Sequence, residues 1–382
     1  MLLTLYTTER ILTEIIKSEK KGLGNEKFKP WYDLITELKP KLKFFLNENS
    51  DYKNSLDNEI YRYIHAKDID SYARKDNGYL EDILAMKAGV EMSSSALFIL
   101  DVDTETARKI SSTYGVICHS FNELPEKCPI FQEGVNKYVK EGDTDKDWNN
   151  LLLSKYVYPS SSLIFVDRYL FFNDSKNDKH RCHNDAIDNV CAVLKIVLPK
   201  SLRREAYHIL FIFDQEVKPK DGKGIDSVYK VNRRKFEDVS RDLKKIKDEL
   251  EKEKNYKIVI EVIALNSIGK NCKDIHEETH NRKILSDYFI IKADKSLKPF
   301  RGKKSLCTQS LSFDWAATKG IIREKDSDSD ARNIAGTTKT LYDGIKEFLE
   351  KNYDNDTELI FYSQIGKEDK TLEDICNPLL KG

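Results

Sequence analysis

Short apolar runs alternate with longer stretches whose apolar residues recur at helical spacing, and this alternation constrains the fold more than any other feature of the chain. Ser162–Phe172 (SLIFVDRYLFF), His208–Phe213 (HILFIF, ended by Asp214) and Lys257–Leu265 (KIVIEVIAL) read as strands. Between them, Ala186–Leu198 and Arg233–Lys254 read as helices. The second carries Phe236, Val239, Leu243, Ile246 and Leu250 on one face. Strands this apolar must be covered on both faces, and a strand–helix–strand order brings helices to cover them. The expected architecture is an α/β layered unit with a largely parallel sheet. Lys283–Lys292 reads as a further strand. After a polar loop at Glu324–Arg332, the helix Thr340–Asn352 and the strand Leu359–Tyr362 complete the unit.

The preceding part of the chain reads differently. Residues 1–95 are expected to be mostly helical, from three groups of apolar residues at helical spacing: Ile11, Ile15 and Ile16; Trp31, Leu34, Ile35 and Leu38; and Tyr61, Tyr63 and Ile64. A small β-α-β unit follows, with strand Ala96–Leu100, helix Thr104–Thr113 and strand Gly115–Cys118. Residues 122–155 are polar and hold Pro125, Pro129 and the run EGDTDKD, which places a boundary near residue 150. With about 150 residues per domain, the 382-residue chain divides into a mostly helical α/β domain, 1–150, and an α/β domain, 151–382.

Lys and Arg total 64, as do Asp and Glu, so the formal charge is 64 − 64, or zero. Charge alone therefore gives no case for nucleic-acid binding. The seven cysteines are scattered and never spaced CxxC, which argues against a disulfide framework or a zinc ribbon. They fit a reducing cytoplasm. The N-terminus lacks a basic region and a small-residue cleavage site, and no apolar run is long enough to span a membrane. The abundance of Lys, Asn, Asp, Tyr and Ile fits an AT-rich prokaryotic genome. Glycine-rich phosphate loops and the G-x-S-x-G elbow are absent, so no nucleotide cofactor and no α/β-hydrolase chemistry is expected.

One motif carries chemistry. Thr279–Asp287 (THNRKILSD) has the form H-x-R-x4-D, with His280, Arg282 and Asp287 at its key positions. On a strand, positions i and i+2 point the same way, so His280 and Arg282 can meet one phosphate. A neutral imidazole can attack phosphorus while a guanidinium steadies the equatorial oxygens. Asp287 can orient the imidazole or balance the cation. This chemistry needs no metal.

The pattern differs from the H-x-K-x4-D of the phospholipase D superfamily by Arg for Lys. Residues 279–300 resemble more closely the phospholipase-D-like domain found at the C-terminus of MIT-domain proteins and in related bacterial proteins. The matching elements are His280, Arg282, Ile284, the Tyr288–Ile291 strand, Leu297 and Phe300, the last two forming an L-x-x-F element. The upstream SLIFVDRYLFF and the closing Asn377-Pro378-Leu379-Leu380 look like the edges of such a domain, over residues 155–382. The resemblance implies an α/β sandwich that binds phosphate or lipid. It implies His280 as nucleophile, Arg282 as phosphate clamp and Asp287 as orienting group if the domain is catalytic. The superfamily uses two such motifs and this chain has one, so a homodimer would have to supply the second histidine. The superfamily's Gly-Ser after the aspartate is missing too.

Other candidates are weaker. Asp101 and Asp103 could face one magnesium ion, although an Asp after a strand more often caps the next helix. Asp167, followed by Arg168, reads as an ion-pair former or as support for a site on a neighbouring strand. Arg301-Gly302-Lys303-Lys304 follows the L-x-x-F element and could extend a phosphate surface. Arg233, Arg234 and Lys235 open a helix, where cations oppose the dipole. The expected function is a module that recognises phosphodiesters or nucleic acid. It would act within a prokaryotic anti-phage or mobile-element complex, with residues 1–150 engaging a protein partner. The alternative is a metal-independent nuclease or phosphodiesterase completed by dimerisation.

Overall fold

A computed structural model describes residues 3–20, 28–37, 42–47, 71–74, 95–124, 135–153, 160–171, 173–174, 184–202, 205–216, 231–232, 236–266, 282–286, 288–315, 360–367 and 374–378. It mixes helices and strands in two main sheets, an α/β architecture.

The first sheet comprises β1 (Leu3–Thr8), β2 (Leu42–Asn47), β3 (Ser71–Arg74), β4 (Ser95–Leu100) and β5 (Ile117–Ser120). Their order is β3-β2-β1-β4-β5, and every neighbouring pair is parallel. Helices α1 (Glu9–Lys20), α2 (Lys29–Glu37) and α3 (Thr104–Tyr114) connect and cover it. Leu5, Leu97 and Ile99 face α1 and α2 through Ile11, Ile15 and Trp31. Tyr6, Phe98 and Leu100 point the opposite way, with Ala107 of α3. The expectation of a mostly helical stretch over 1–95 is thus corrected. Leu3–Thr8 (LTLYTT) is too short to show a period, and its core-facing side chains become evident only once helices lie on both faces. The expected helix at Tyr61–Ile64 lies outside the described residues.

The helix α3 shows how local chemistry sets its bounds. Asp103 caps its N-terminus, accepting from the Thr106 N–H at 2.7 Å and the Thr106 hydroxyl at 2.7 Å. These donors hold the Asp103 carboxyl below its ordinary pKa. Gly115 ends the helix at φ +62°, and its N–H reaches the Ser111 carbonyl. A Cβ there would lie 2.7 Å from the Ser160 carbonyl oxygen, so glycine also permits close contact with the start of the second sheet.

The second sheet has eight strands in the order β17-β11-β9-β7-β12-β13-β16-β6. In chain order these are β6 (Val135–Val139), β7 (Ser162–Val166), β9 (Ala206–Glu216), β11 (Lys257–Asn266), β12 (Lys283–Ser286), β13 (Phe289–Ala293), β16 (Gln309–Trp315) and β17 (Ile360–Gln364). Two-residue pairs lie beside it: β8 (Asn173–Asp174) with β10 (Val231–Asn232), and β14 (Phe300–Arg301) with β15 (Lys304–Ser305). Only β7, β9 and β11 run parallel to one another; the remaining neighbours are antiparallel. The expected largely parallel sheet is therefore corrected to a mixed one. The strand predicted over Lys283–Lys292 is a hairpin. Ser286 makes the break, its hydroxyl oxygen accepting from the N–H groups of Tyr288 and Phe289, both at 3.0 Å. β6 lies before residue 150 yet is hydrogen-bonded to β16, so the sheet begins N-terminal to that point.

The parallel trio is the βαβαβ core that the alternation anticipates. Helices α4 (Asn184–Val197) and α5 (Phe236–Lys254) link its strands. The apolar stripe of α5, Val239, Leu243, Ile246 and Leu250, is fully buried, each side chain contributing roughly 2 kcal/mol. The two sheets meet through Tyr288. The Ala96 N–H donates to its hydroxyl at 2.6 Å, and that hydroxyl donates to the Ala96 carbonyl at 2.9 Å. No helix among the described residues is long and apolar enough to cross a membrane.

Candidate functional site

Strand register builds the site. β12 runs antiparallel to β7 with Lys283 opposite Val166, so the next residues outward, Arg282 and Asp167, face each other at the carboxyl end of β7. The carboxyl ends of parallel strands are where open α/β sheets bind ligands.

Asp167 is fully buried. One carboxylate oxygen accepts from the Tyr169 N–H at 2.9 Å and the other from the Leu297 N–H at 3.0 Å. Burial pushes its pKa above the ordinary carboxylate value, against the pull of those two N–H groups and of the Arg282 and Lys298 charges. Arg282 Nε lies 3.7 Å from Asp167 Oδ1, an ion pair but too long for a hydrogen bond. The Arg282 side chain is 12% exposed. Its Nη1 donates to the Asp294 carbonyl at 2.8 Å, while its buried Nε has no hydrogen-bond partner among the described residues. The guanidinium carbon stands 5.6 Å from the Tyr169 ring centroid, and that of Arg168 stands 5.4 Å from the same centroid. Two cations thus act on the buried Asp167 carboxylate, Arg282 and Lys298, and Arg168 stacks nearby on the Tyr169 ring. The Asp294 carboxylate is turned away to the Ser310 N–H.

The L-x-x-F element is the clamp on this arrangement. Leu297 and Phe300 are both buried, and the Leu297 amide holds Asp167. Phe300 is held through Asn189, whose side-chain amide donates to the Phe300 carbonyl at 2.7 Å and whose oxygen accepts from the Phe300 N–H at 3.3 Å. The Trp148 indole N–H donates to the same oxygen at 2.9 Å. Gln309 fastens the preceding residues, accepting from the N–H groups of Lys295 and Ser296. Asn189 and Gln309 are the residues that sequence reasoning missed. Each is a polar side chain serving backbone far away in the chain, for which no local pattern exists.

Of the other candidates, His280 and Asp287 lie outside the described residues. Arg301 is partly exposed, and its guanidinium grips buried Asp185 in bidentate fashion, at 2.9 and 2.8 Å. Lys303 and Lys304 are exposed, Lys303 in the turn between β14 and β15 that Gly302 makes at φ +57° and Lys304 at the start of β15. Arg233, Arg234 and Lys235 lie outside the described residues. The Asp101 and Asp103 carboxylates do not converge on one ion, since Asp103 is consumed by its cap. Asp101 instead accepts from Arg10 at 2.7 Å and from the Asn122 side chain at 3.2 Å. That pair spans β1 and β4, between which the strand order of the first sheet reverses. The crevice expected there is bridged by an exposed ion pair.

The chain matches no protein-family model and no curated protein.

Proposed function

We propose that this chain is a phosphodiester-recognising module of the phospholipase-D-like type, with its anion site at the carboxyl end of β7 and Arg282 as the principal ligand. The observation that carries the reading is the state of the Arg282 guanidinium. It is largely buried, oriented from three sides, and among the described residues uses one N–H donor of five in a hydrogen bond. Buried donors normally find acceptors, and a planar fork of donors fits two phosphate oxygens at once. Arg168 and Lys298 add positive potential, and Asp167 holds the group in place without saturating it. His280, two residues before Arg282, is the base or nucleophile if the site is catalytic. Such a module suits a complex directed at nucleic acid.

The test is titration of the full chain into a fluorescently labelled single-stranded oligonucleotide at fixed, low salt, read by anisotropy. Arg282→Gln is expected to weaken binding by about tenfold to a hundredfold, equivalent to roughly 1.5–3 kcal/mol for a charge-assisted bond. Arg282→Lys, which keeps the charge but loses the fork, should fall between. Wild-type affinity in Arg282→Gln would end the proposal. Cleavage of the oligonucleotide in EDTA that disappears in His280→Ala would assign catalysis to the site; an intact oligonucleotide would leave it a binding module.

A further inference from the structure

A second group of chemically apt side chains lies in the same sheet, apart from Arg282. His208 on β9, Glu261 on β11 and Cys376 in the described segment 374–378 each bring one donor atom into a cluster. All three atoms lie within 4.8 Å of one another. Register explains the first two. Leu210 pairs with Glu261, and His208 stands two residues before Leu210 on the same side of the sheet. The third arrives because segment 374–378 is stitched onto that side. The Cys376 N–H donates to Glu261 Oε1 at 2.7 Å, and the Asn377 side-chain amide donates to the Leu163 carbonyl at 3.1 Å. The Tyr362 hydroxyl on β17 donates to the same Glu261 oxygen at 2.8 Å.

The geometry points to a zinc site formed by His208 Nδ1, a Glu261 carboxylate oxygen and Cys376 Sγ, with the fourth position left to water. The donor set is the first argument. One imidazole, one carboxylate and one thiolate make a mixed, borderline-soft set that suits zinc and not calcium or magnesium. Spacing is the second. Zinc bonded to sulfur at about 2.3 Å and to imidazole nitrogen at about 2.05 Å in a tetrahedron holds those atoms about 3.5 Å apart. Cys376 Sγ and His208 Nδ1 are 3.5 Å apart. Charge is the third. Glu261 is fully buried on β11, next to the edge strand β17, and a buried carboxylate with a thiolate beside it would be costly unless a cation accompanied them. A divalent ion neutralises both. It would pin segment 374–378 across β9 and β11, so metal binding would add to the stability of the second sheet.

The experiment uses the full chain, stripped with EDTA and exchanged into metal-free buffer. Zinc is then titrated and bound metal measured by mass spectrometry. One equivalent is expected in the wild type, and none at that affinity in His208→Gln or Cys376→Ser. Cobalt(II) in place of zinc should give a thiolate-to-cobalt charge-transfer band, absent in Cys376→Ser. Because either variant could fail to fold, a third reading uses the wild type alone. Alkylation of each cysteine is followed by peptide mapping in zinc and in EDTA, and zinc should slow modification at Cys376 by about tenfold or more. Equal alkylation at Cys376 with and without zinc, or a cobalt complex with no thiolate band, would mean that the contact is only a thiol–imidazole hydrogen bond. Either result overturns the proposal.

Discussion

The two sheets treat charge in opposite ways. Around the first, the ion pair Arg10–Asp101 is short, at 2.7 Å, but both side chains are more than half exposed. One titratable group turned toward its interior is His119, whose ring packs edge-on to Trp31 and whose buried Nε2 has no hydrogen-bond partner among the described residues. Burial lowers its pKa to about 4, so it is neutral at physiological pH. The second sheet buries charge-bearing groups outright. Among the described residues, every buried Asp, Glu or Lys side chain lies beyond residue 160: Asp167, Asp185, Glu261, Lys283 and Asp314. Its Arg282–Asp167 pair is longer, at 3.7 Å, yet almost wholly out of water. Separation alone would rank the two arginine–aspartate pairs the wrong way. Burial decides, because water screens the short pair and hardly reaches the long one. A region that keeps charges dry at a structural cost is the region to search for chemistry.

The contrast is broken most directly at Asp167. Asp167→Ala should destabilise the chain by about 3–5 kcal/mol in urea unfolding, since it strands a buried guanidinium and two backbone donors. Adding Arg282→Met should recover part of that loss. A loss below about 1 kcal/mol for the single change would show that water reaches the pair, and the contrast between the sheets would fail.

His119 tests the first sheet. A histidine whose folded pKa is depressed contributes stability that is intact above its unfolded pKa and is lost as pH falls through the folded value. Unfolding free energy should therefore decline from about pH 6.5 to about pH 4, by roughly 2–3 kcal/mol from this group. In His119→Phe the decline over that window should flatten. An unchanged slope would place the ring in contact with water and remove it from the comparison.

The smallest effect belongs to the exposed pair. Arg10→Ala should cost at most about 1 kcal/mol at low salt, and the difference from wild type should shrink as salt rises. A loss as large as that of Asp167→Ala would mean the crevice between β1 and β4 depends on this bridge.

Much of the second sheet's core was legible. The stripe on α5 is strong because a long helix samples its period several times, and Asp103 reads as a cap because capping is a local bond. The hairpin at Ser286 reads in the sequence as one strand. The apolar residues on either side are continuous, and two turn residues weigh little against them. The pairing of β6 with β16 left no trace in the polar stretch that contains β6. At the site, Arg282 could be singled out from its motif, and Asp167 could be read as support for a neighbouring strand. Which strand that was, and that Arg301 would be claimed by Asp185, depend on elements far apart in the chain.

By itself the sequence determined what is local: the helical periods, the cap on α3, the apolar strands of the βαβαβ core, and an arginine at the centre of an H-x-R-x4-D pattern. Tertiary structure alone decided the parallel order of the first sheet, the mixed order of the second, and the meeting of His208, Glu261 and Cys376. The reason is physical. Propensity and capping act within a few residues, whereas register and burial arise only when distant segments share one core, and those two set the charge environment of every group at the candidate sites.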